Sequence, residues 1–468
     1  MPDSATLLRP AVTLARAAGS LSRVSRRGGG TSLPGKLLLR LAPHAIADLG
    51  AQLERGSVVV SATNGKTTTA RMIASVLAQA GIETVHNRAG ANMPSGVATA
   101  FLAHARGGRI EGSRLGLFEV DEAWLGTVVS ELEPHTVVLG NLFRDQLDRY
   151  GELERLADEW AEVVTAAAGH TKFILNADDP LVADLGRDRE GQPRERVTYF
   201  GVEDRSQALA ELEHAFDAKH CRRCGSLYRY AAAYLGHLGD YACPHCGNRR
   251  PAPTVAATRV SLRGMSGSDV TFSTPAGELE LALPLPGLYN VYNALAATAC
   301  CLELGIAPET IARGLESSVA AFGRAERIDL DGRELAILLI KNPAGANEVF
   351  RTLRSGGEPQ FDLWIALNDR IADGRDISWI WDADFEILAG VAHQVTCSGT
   401  RADELALRLK YAGLDEAKIT IAAPLDEGLD RSLAGADGRP LYALPTYTAL
   451  LELRELLASR GQAKPFWE

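Results

Sequence analysis

The chain has 468 residues, 46% of them apolar and 23% charged, with a formal net charge of -10 at pH 7. That length predicts two or three domains, each able to bury its own core, and the acidic balance argues against general nucleic-acid binding. No run of eighteen apolar residues predicts a transmembrane helix, no apolar segment with a cleavage site predicts a secretory signal, and the cysteine usage predicts a reducing, cytoplasmic setting. Within the first 57 residues, Arg9, Arg16, Arg23, Arg26 and Arg27 are basic, and Asp3 is the only acid before Asp48. The seven-residue spacing puts Arg9, Arg16 and Arg23 on one helix face. A solvated face, or a flexible arm ending at Gly28-Gly29-Gly30, is the plainer reading; contact with anionic lipid or substrate phosphates is the alternative.

The run Val58 to Thr69 is the most informative stretch. An apolar, β-branched strand feeds a turn with Gly65-Lys66-Thr67, and Ala70 to Ala80 reads as a helix. That context suits a phosphate-binding loop for ATP: backbone N–H groups and the helix dipole face the phosphates, Lys66 reaches them, and the Thr67 hydroxyl holds Mg²⁺. Val60 stands where the general pattern has its first glycine. Three further strands end in polar clusters: Leu115–Val120 in Glu119, Asp121 and Glu122, Thr136–Gly140 in Asn141 to Tyr150, and Phe173–Leu175 in Asn176-Ala177-Asp178-Asp179-Pro180. Open α/β sheets place their sites at such strand ends, so these clusters are expected to serve Mg²⁺.

Cys221-x-x-Cys224 and Cys243-x-x-Cys246 have the spacing of a closed Cys₄ zinc ribbon, a structural staple for an insert with few apolar residues. Cys300, Cys301 and Cys397 lie in apolar surroundings and read as core thiols. Asn290 and Asn293 share one face of an alanine-rich helix, where they suit an adenine or a neighbouring loop. Arg324 follows a glycine turn and suits a phosphate clamp. Beyond about residue 328, four more strands end in polar residues, and the loop carrying Asp369, Asp373 and Asp376 is the densest. No Gly-x-Cys-x-Gly elbow is present, so any glutaminase nucleophile must come from another chain.

Taken in order, the Thr-Asn-Gly-Lys-Thr-Thr loop, the Asn-Ala-Asp-Asp-Pro turn, the Gly-x-x-Asn-x-x-Asn-Ala helix and the Gly-Arg-x-Glu turn resemble the Mur ligase family. The resemblance covers nearly the whole chain after residue 33. It implies an α/β fold: a P-loop ATPase domain over 46–319 with the ribbon inserted at 216–252, and a C-terminal Rossmann-like domain over 320–468, after short N-terminal elements in 1–45. It also implies ATP-dependent amide formation through an acyl phosphate. Thr63, Asn64, Gly65, Lys66, Thr67, Thr68, Asn290, Asn293 and Arg324 would bind ATP, and Thr67, Glu119, Asp121 and Glu122 would serve magnesium. Two departures, the ribbon and the lack of a full nucleotide-sugar domain before the P-loop, resemble a branch of the family that amidates lipid II with a separate class I glutaminase, GatD. For that branch the resemblance implies peptidoglycan synthesis by a heterodimer at the inner face of the cell membrane. It also implies an aspartate lent to the partner's Cys–His pair, with Asp376 first and Asp373 and Asp369 behind it. The modified lysine of many relatives has no counterpart that can be placed, since Lys219 lies too close to the ribbon. A self-sufficient amino-acid ligase of the same family, or a zinc-ribbon NTPase scaffold, are the alternative readings.

Overall fold

The computed structural model describes residues 4–24, 33–87, 91–145, 153–188, 190–211, 213, 216–319, 324–330, 332–356, 360–434 and 438–463. Arg26, Arg27, the glycines at 28–30 and the Gln146 to Tyr150 part of the second strand-end cluster lie outside those residues, as do the side chains of Arg23 and Arg324.

The strand Ser57–Ser61 is buried along its whole length because it lies mid-sheet, with parallel neighbours on both sides. Val58 faces Leu117 of one neighbour and Thr136 of the other. The nine-stranded sheet runs in the order 277–283, 268–274, 255–262, 197–202, 172–176, 136–139, 57–61, 115–119 and 84–86. Only the strand Ser268–Thr274 runs against the others. Successive strands fall on opposite sides of Ser57–Ser61, so loops diverge at its carboxyl end and open a crevice there. Helices cover both faces. Lys66–Gln79, Leu288–Glu303 and Pro308–Glu316 build one core, around Ile73, Leu295 and Leu315.

The N-terminal helices belong to the opposite core, which corrects the flexible-arm reading. In Ser4–Val24, the residues Leu8, Ala11, Val12 and Ala15 form an apolar stripe that is buried with Leu38, Val97 and Phe101. This is the spacing of a one-faced amphipathic helix. Arg9 and Arg16 are exposed on its outer side, and the Arg16 guanidinium also donates to the carbonyl of Ala105.

The C-terminal sheet has six strands in the order 324–330, 333–338, 441–445, 361–366, 392–398 and 419–421, parallel except at the first. Its two faces bury separate clusters, one around Phe350, Ile365 and Leu405, the other around Trp364, Leu429 and Leu453. Cys300, Cys301 and Cys397 are buried core thiols, as expected, and burial pushes the Cys397 thiol up to about 12. Among the described residues no helix is long and apolar enough to cross a membrane.

Candidate active site

The turn between the central strand and its helix is folded on itself by its own polar groups. Gly65 caps the helix with φ +93°, and a Cβ there would come within 2.1 Å of Asn293 Oδ1. That close approach and the left-handed backbone explain the glycine. The Asn64 backbone N–H donates to Asn141 Oδ1 at 2.9 Å, and Asn141 Nδ2 returns a 2.9 Å bond to the Asn64 carbonyl. Thr63 is buried, and its hydroxyl accepts from the Phe143 N–H at 3.1 Å.

Lys66 is buried, with Nζ 3.0 Å from the Ala62 carbonyl and 3.0 Å from Glu122 Oε2. Burial alone would depress its pKa, but the charges of Glu122, Glu119 and Asp121 outweigh it and hold Lys66 above its ordinary value. Burial likewise would raise Glu122, yet Lys66 and Lys341 bring it below the usual range. A stable cation therefore sits at the helix N-terminus, where phosphate is favoured.

The Thr67 hydroxyl donates to Glu119 Oε1 at 2.7 Å. Asn87 fixes Glu119 from behind, donating to its carbonyl at 2.7 Å and accepting its N–H at 2.9 Å. Hard oxygens at this spacing suit Mg²⁺, which keeps waters and borrows substrate phosphates for its remaining positions. The other two carboxylates are engaged elsewhere. Asp121 accepts from the Ala123 N–H at 3.3 Å to cap the next turn, and Glu122 holds Lys66.

The Asn176 to Pro180 turn departs from the metal-site expectation. Asp178 accepts from Arg250 Nε, the Tyr292 hydroxyl and the Val202 N–H, at 2.6, 2.6 and 2.9 Å. Asp179 caps a short helix through Leu181 N–H at 2.8 Å and accepts from Leu142 N–H at 2.8 Å. Both are fully buried carboxylates that hold the sheet rim together. Buried carboxylates with every bond spoken for are structural.

Asn293 Oδ1 accepts from the Thr69 hydroxyl at 3.2 Å, and Asn293 Nδ2 donates to Asn290 Oδ1 at 3.0 Å. Asn293 and Thr68 line a cleft beside the P-loop, with Phe143, Tyr289 and Tyr292 among its walls. Asn290 lies deeper and donates to the Pro286 carbonyl at 2.8 Å. An aromatic pocket beside a phosphate loop fits a purine base.

Two residues of the C-terminal domain that sequence reasoning did not single out reach this loop. Lys341 Nζ is 2.5 Å from Asp145 Oδ2 and 3.5 Å from the Thr63 carbonyl. The Asn342 and Asn64 amides bond reciprocally, at 3.0 and 3.3 Å. A second cleft between the domains is lined by Lys341, Asp145, Arg144, Asp382, Asp373 and Asp376. The three candidate aspartates are not equivalent. Asp373 is buried and accepts from Thr448 N–H and Oγ1 at 2.7 and 2.5 Å. Asp369 accepts from the Thr400 hydroxyl and Arg401 Nε, both at 2.8 Å. Asp376 is exposed and accepts from the Ser378 N–H at 2.8 Å; that bond and the Ser378 side chain hold its carboxyl below the usual range.

The four ribbon cysteines converge, with every Sγ within 4.8 Å of the others. Gly225 and Gly247 close the knuckles at φ +75° and +76°. Four soft donors in one cluster suit tetrahedral zinc with no open position. Three of the arginines around them are taken up by carboxylates: Arg222 by Asp158, Arg223 by Asp184, and Arg250 by Asp178 and Glu203. Lys219 is exposed, and its N–H donates to the Asp217 carbonyl at 3.1 Å.

A buried P-loop lysine, a hydroxyl–carboxylate pair beside it and a second α/β domain closing on the same loop define an ATP-dependent ligase architecture. The Mur ligase middle domain model matches residues 60–231, and the MurT ligase C-terminal model matches 339–450. The chain is 36% identical over 456 residues to the MurT subunit of lipid II isoglutaminyl synthase (glutamine-hydrolyzing) of Streptococcus pneumoniae, covering 96% of this chain and 97% of that one. It is 32% identical to the same subunit of Staphylococcus aureus, over the same shares. A pseudomurein peptide ligase type C from Methanothermus fervidus shares the fold with a TM-score of 0.66 at 25% identity, over 87% of this chain and 79% of that one. The chain belongs to the Mur ligase family, in its MurT branch.

Proposed function

We propose that the chain is the synthetase subunit of lipid II isoglutaminyl synthase, which uses ATP to amidate the α-carboxylate of D-glutamate in lipid II. Nitrogen comes from glutamine through a separate class I glutaminase of the GatD kind, and the product carries D-isoglutamine. The carrying observation is the similarity to MurT subunits, 36% and 32% identical, over 96% of the chain.

Lys66 and the helix N-terminus bind and orient the ATP phosphates. Thr67 and Glu119 would hold Mg²⁺, which would offset charge on the transferring phosphoryl group. Asn293 and the aromatic cleft seat the base, and Asn290 braces Asn293. The substrate carboxylate attacks the γ-phosphorus, ADP leaves, and ammonia displaces phosphate from the acyl phosphate. Asp376 orients the imidazole of the partner's Cys–His pair, as the third member of a nucleophilic triad does. Lipid II places the reaction at a membrane surface.

The test is amidation of purified lipid II by the chain and its co-purified partner, read by mass spectrometry with glutamine as nitrogen source. A one-dalton loss that needs both ATP and glutamine supports the reading. A chain that consumes ATP only with a free amino acid overturns it.

A further inference from the structure

The Cys₄ ribbon reaches farther than a staple needs to. Its hairpin strands, Arg229–Leu235 and Leu238–Ala242, run from the cysteine knuckles to a tight turn at Gly236-His237. Seven strand residues span roughly 20 Å. Burial grows along that length: the knuckle end of Arg229–Leu235 is exposed, and the four residues nearest the turn are buried. At the turn, Leu235, His237 and Leu238 are 4%, 0% and 1% exposed. Leu235 and Leu238 line the cleft beside Gly65, Thr68 and Asn293.

The tip is fastened to three neighbours. The Gly239 N–H donates to the Asp178 carbonyl at 2.9 Å. The His237 ring packs 4.7 Å from Phe143, itself a wall of the cleft, and lies 3.4 Å from Asp179. The Gly236 N–H donates to Glu213 Oε1 at 3.2 Å, and the same carboxylate takes Asn347 Nδ2 at 3.0 Å and the Arg351 guanidinium. Asn347 and Arg351 belong to the helix Pro343–Arg354 of the C-terminal domain. At the knuckle end, by contrast, the hairpin rests on a small cluster of Ala183, Cys221, Tyr228, Tyr241 and Cys243. Two of those five residues, Cys221 and Cys243, belong to the Cys₄ site, so metal held there would add to the ion pairs Arg222–Asp158 and Arg223–Asp184 in fixing the base.

We propose that the ribbon hairpin forms the base-binding wall of the nucleotide cleft through Leu235 and Leu238, so that metal bound at the four cysteines sets affinity for the purine. The proposal rests on the nucleotide-binding reading of the P-loop. It separates base binding, which needs the tip, from phosphate binding, which rests on the P-loop residues Gly65, Lys66 and Thr67 and not on the tip.

The experiment uses the full chain purified with its zinc and its partner, titrated calorimetrically with a non-hydrolysable ATP analogue and, separately, with inorganic tripolyphosphate. Leu235→Ala/Leu238→Ala should weaken the analogue about tenfold by lost apolar contact while leaving tripolyphosphate affinity and zinc content unchanged. Leu238→Trp, which keeps the tip apolar but fills the cleft, should do the same. Cys224→Ser/Cys246→Ser, made at the two exposed ligands, should lose zinc and show the same selective loss. Wild-type analogue affinity in the leucine variants, or equal loss of both probes, overturns the proposal. A wild-type chain that binds neither probe overturns the P-loop reading instead.

Discussion

Replacing Asp376 by Asn should abolish the use of glutamine and spare the use of free ammonia. The three aspartates of its loop offer an internal comparison. Asp376 is exposed and bonded within its own loop, so the neutral amide should change stability by less than about 0.5 kcal/mol. Asp373 accepts two bonds from Thr448 and one from the Arg370 N–H at 3.2 Å. Hydrogen bonds to a charged group contribute roughly 1.5–3 kcal/mol each, so Asp373→Asn should cost about 3 kcal/mol and lower the melting temperature of the C-terminal domain by roughly 10 °C. In a Ser-His-Asp triad, the same Asp-to-Asn change lowers kcat by about 10⁴ because the histidine loses its tautomer and its counter-charge. An aspartate supplied across a subunit interface should give a loss of about 10² to 10⁴. The assay has three readings on the complex: glutamate release, lipid II amidation with glutamine, and amidation with ammonium chloride. Asp376→Asn should lose the first two, retain the third, and melt with the wild type. Glutaminase activity within twofold of wild type in Asp376→Asn would refute the assignment. So would an Asp369→Asn variant that lost activity without losing stability.

Lys66→Ala should eliminate amidation with either nitrogen source. It should also destabilise the ligand-free chain by about 3 kcal/mol, because Glu122 is left buried without its partner at 3.0 Å; Lys66→Ala/Glu122→Gln should recover that stability in thermal melts but no activity. The same pair sets a pH window. Glu122 is held below 4.5, so its contribution is full above that pH and fades as pH falls through its lowered value, whereas Lys66, held above 10.5, contributes fully below that pH and fades as pH rises through its raised value. The melting-temperature gap between wild type and Lys66→Met should therefore narrow as pH falls below 4.5 and as it rises above 10.5. Gly65→Ala must carry a Cβ at φ +93° within 2.1 Å of Asn293 Oδ1, so nucleotide affinity should fall at least about tenfold in calorimetry. Elemental analysis should find one zinc per chain, and chelation should lower the melting temperature.

The P-loop, the four cysteines and the strand-end geography were legible because each is a local pattern with its own physics. A β-branched strand, a turn with Gly-Lys-Thr and a helix fix a phosphate site within twelve residues, and two Cys-x-x-Cys knuckles fix a metal site at any loop length. Polar clusters at strand ends were legible as positions but not as roles. Asp178 and Asp179 look like metal ligands in the sequence, yet Arg250, Tyr292 and Leu142, remote in the chain, consume them. Arg9 and Arg16 drew attention as charge, while the stripe Leu8, Ala11, Val12 and Ala15 on the other side of the same helix decided where it packs. Lys341 and Asn342 carried no motif at all. Their partners Asp145 and Asn64 lie 196 and 278 residues away, a separation that no periodicity encodes.

Those long-range contacts bear on how the two half-reactions are joined. Lys341 touches Asp145 and the Thr63 carbonyl of the phosphate loop, and its charge helps to lower Glu122, the partner of Lys66. Lys341 and Asp376 also line one cleft. The residue proposed to complete the glutaminase and a residue that contacts the ATP loop therefore share a single space at the domain junction. Separating the domains would break the Asn64–Asn342 amide pair and part that space from the P-loop. In the proposed enzyme, the contact that joins the two domains at the phosphate loop also keeps Asp376 in the space beside it. Asn342→Ala should therefore lower glutamine-driven amidation more than ATP affinity, and equal losses in both would show that the amide pair serves the nucleotide alone.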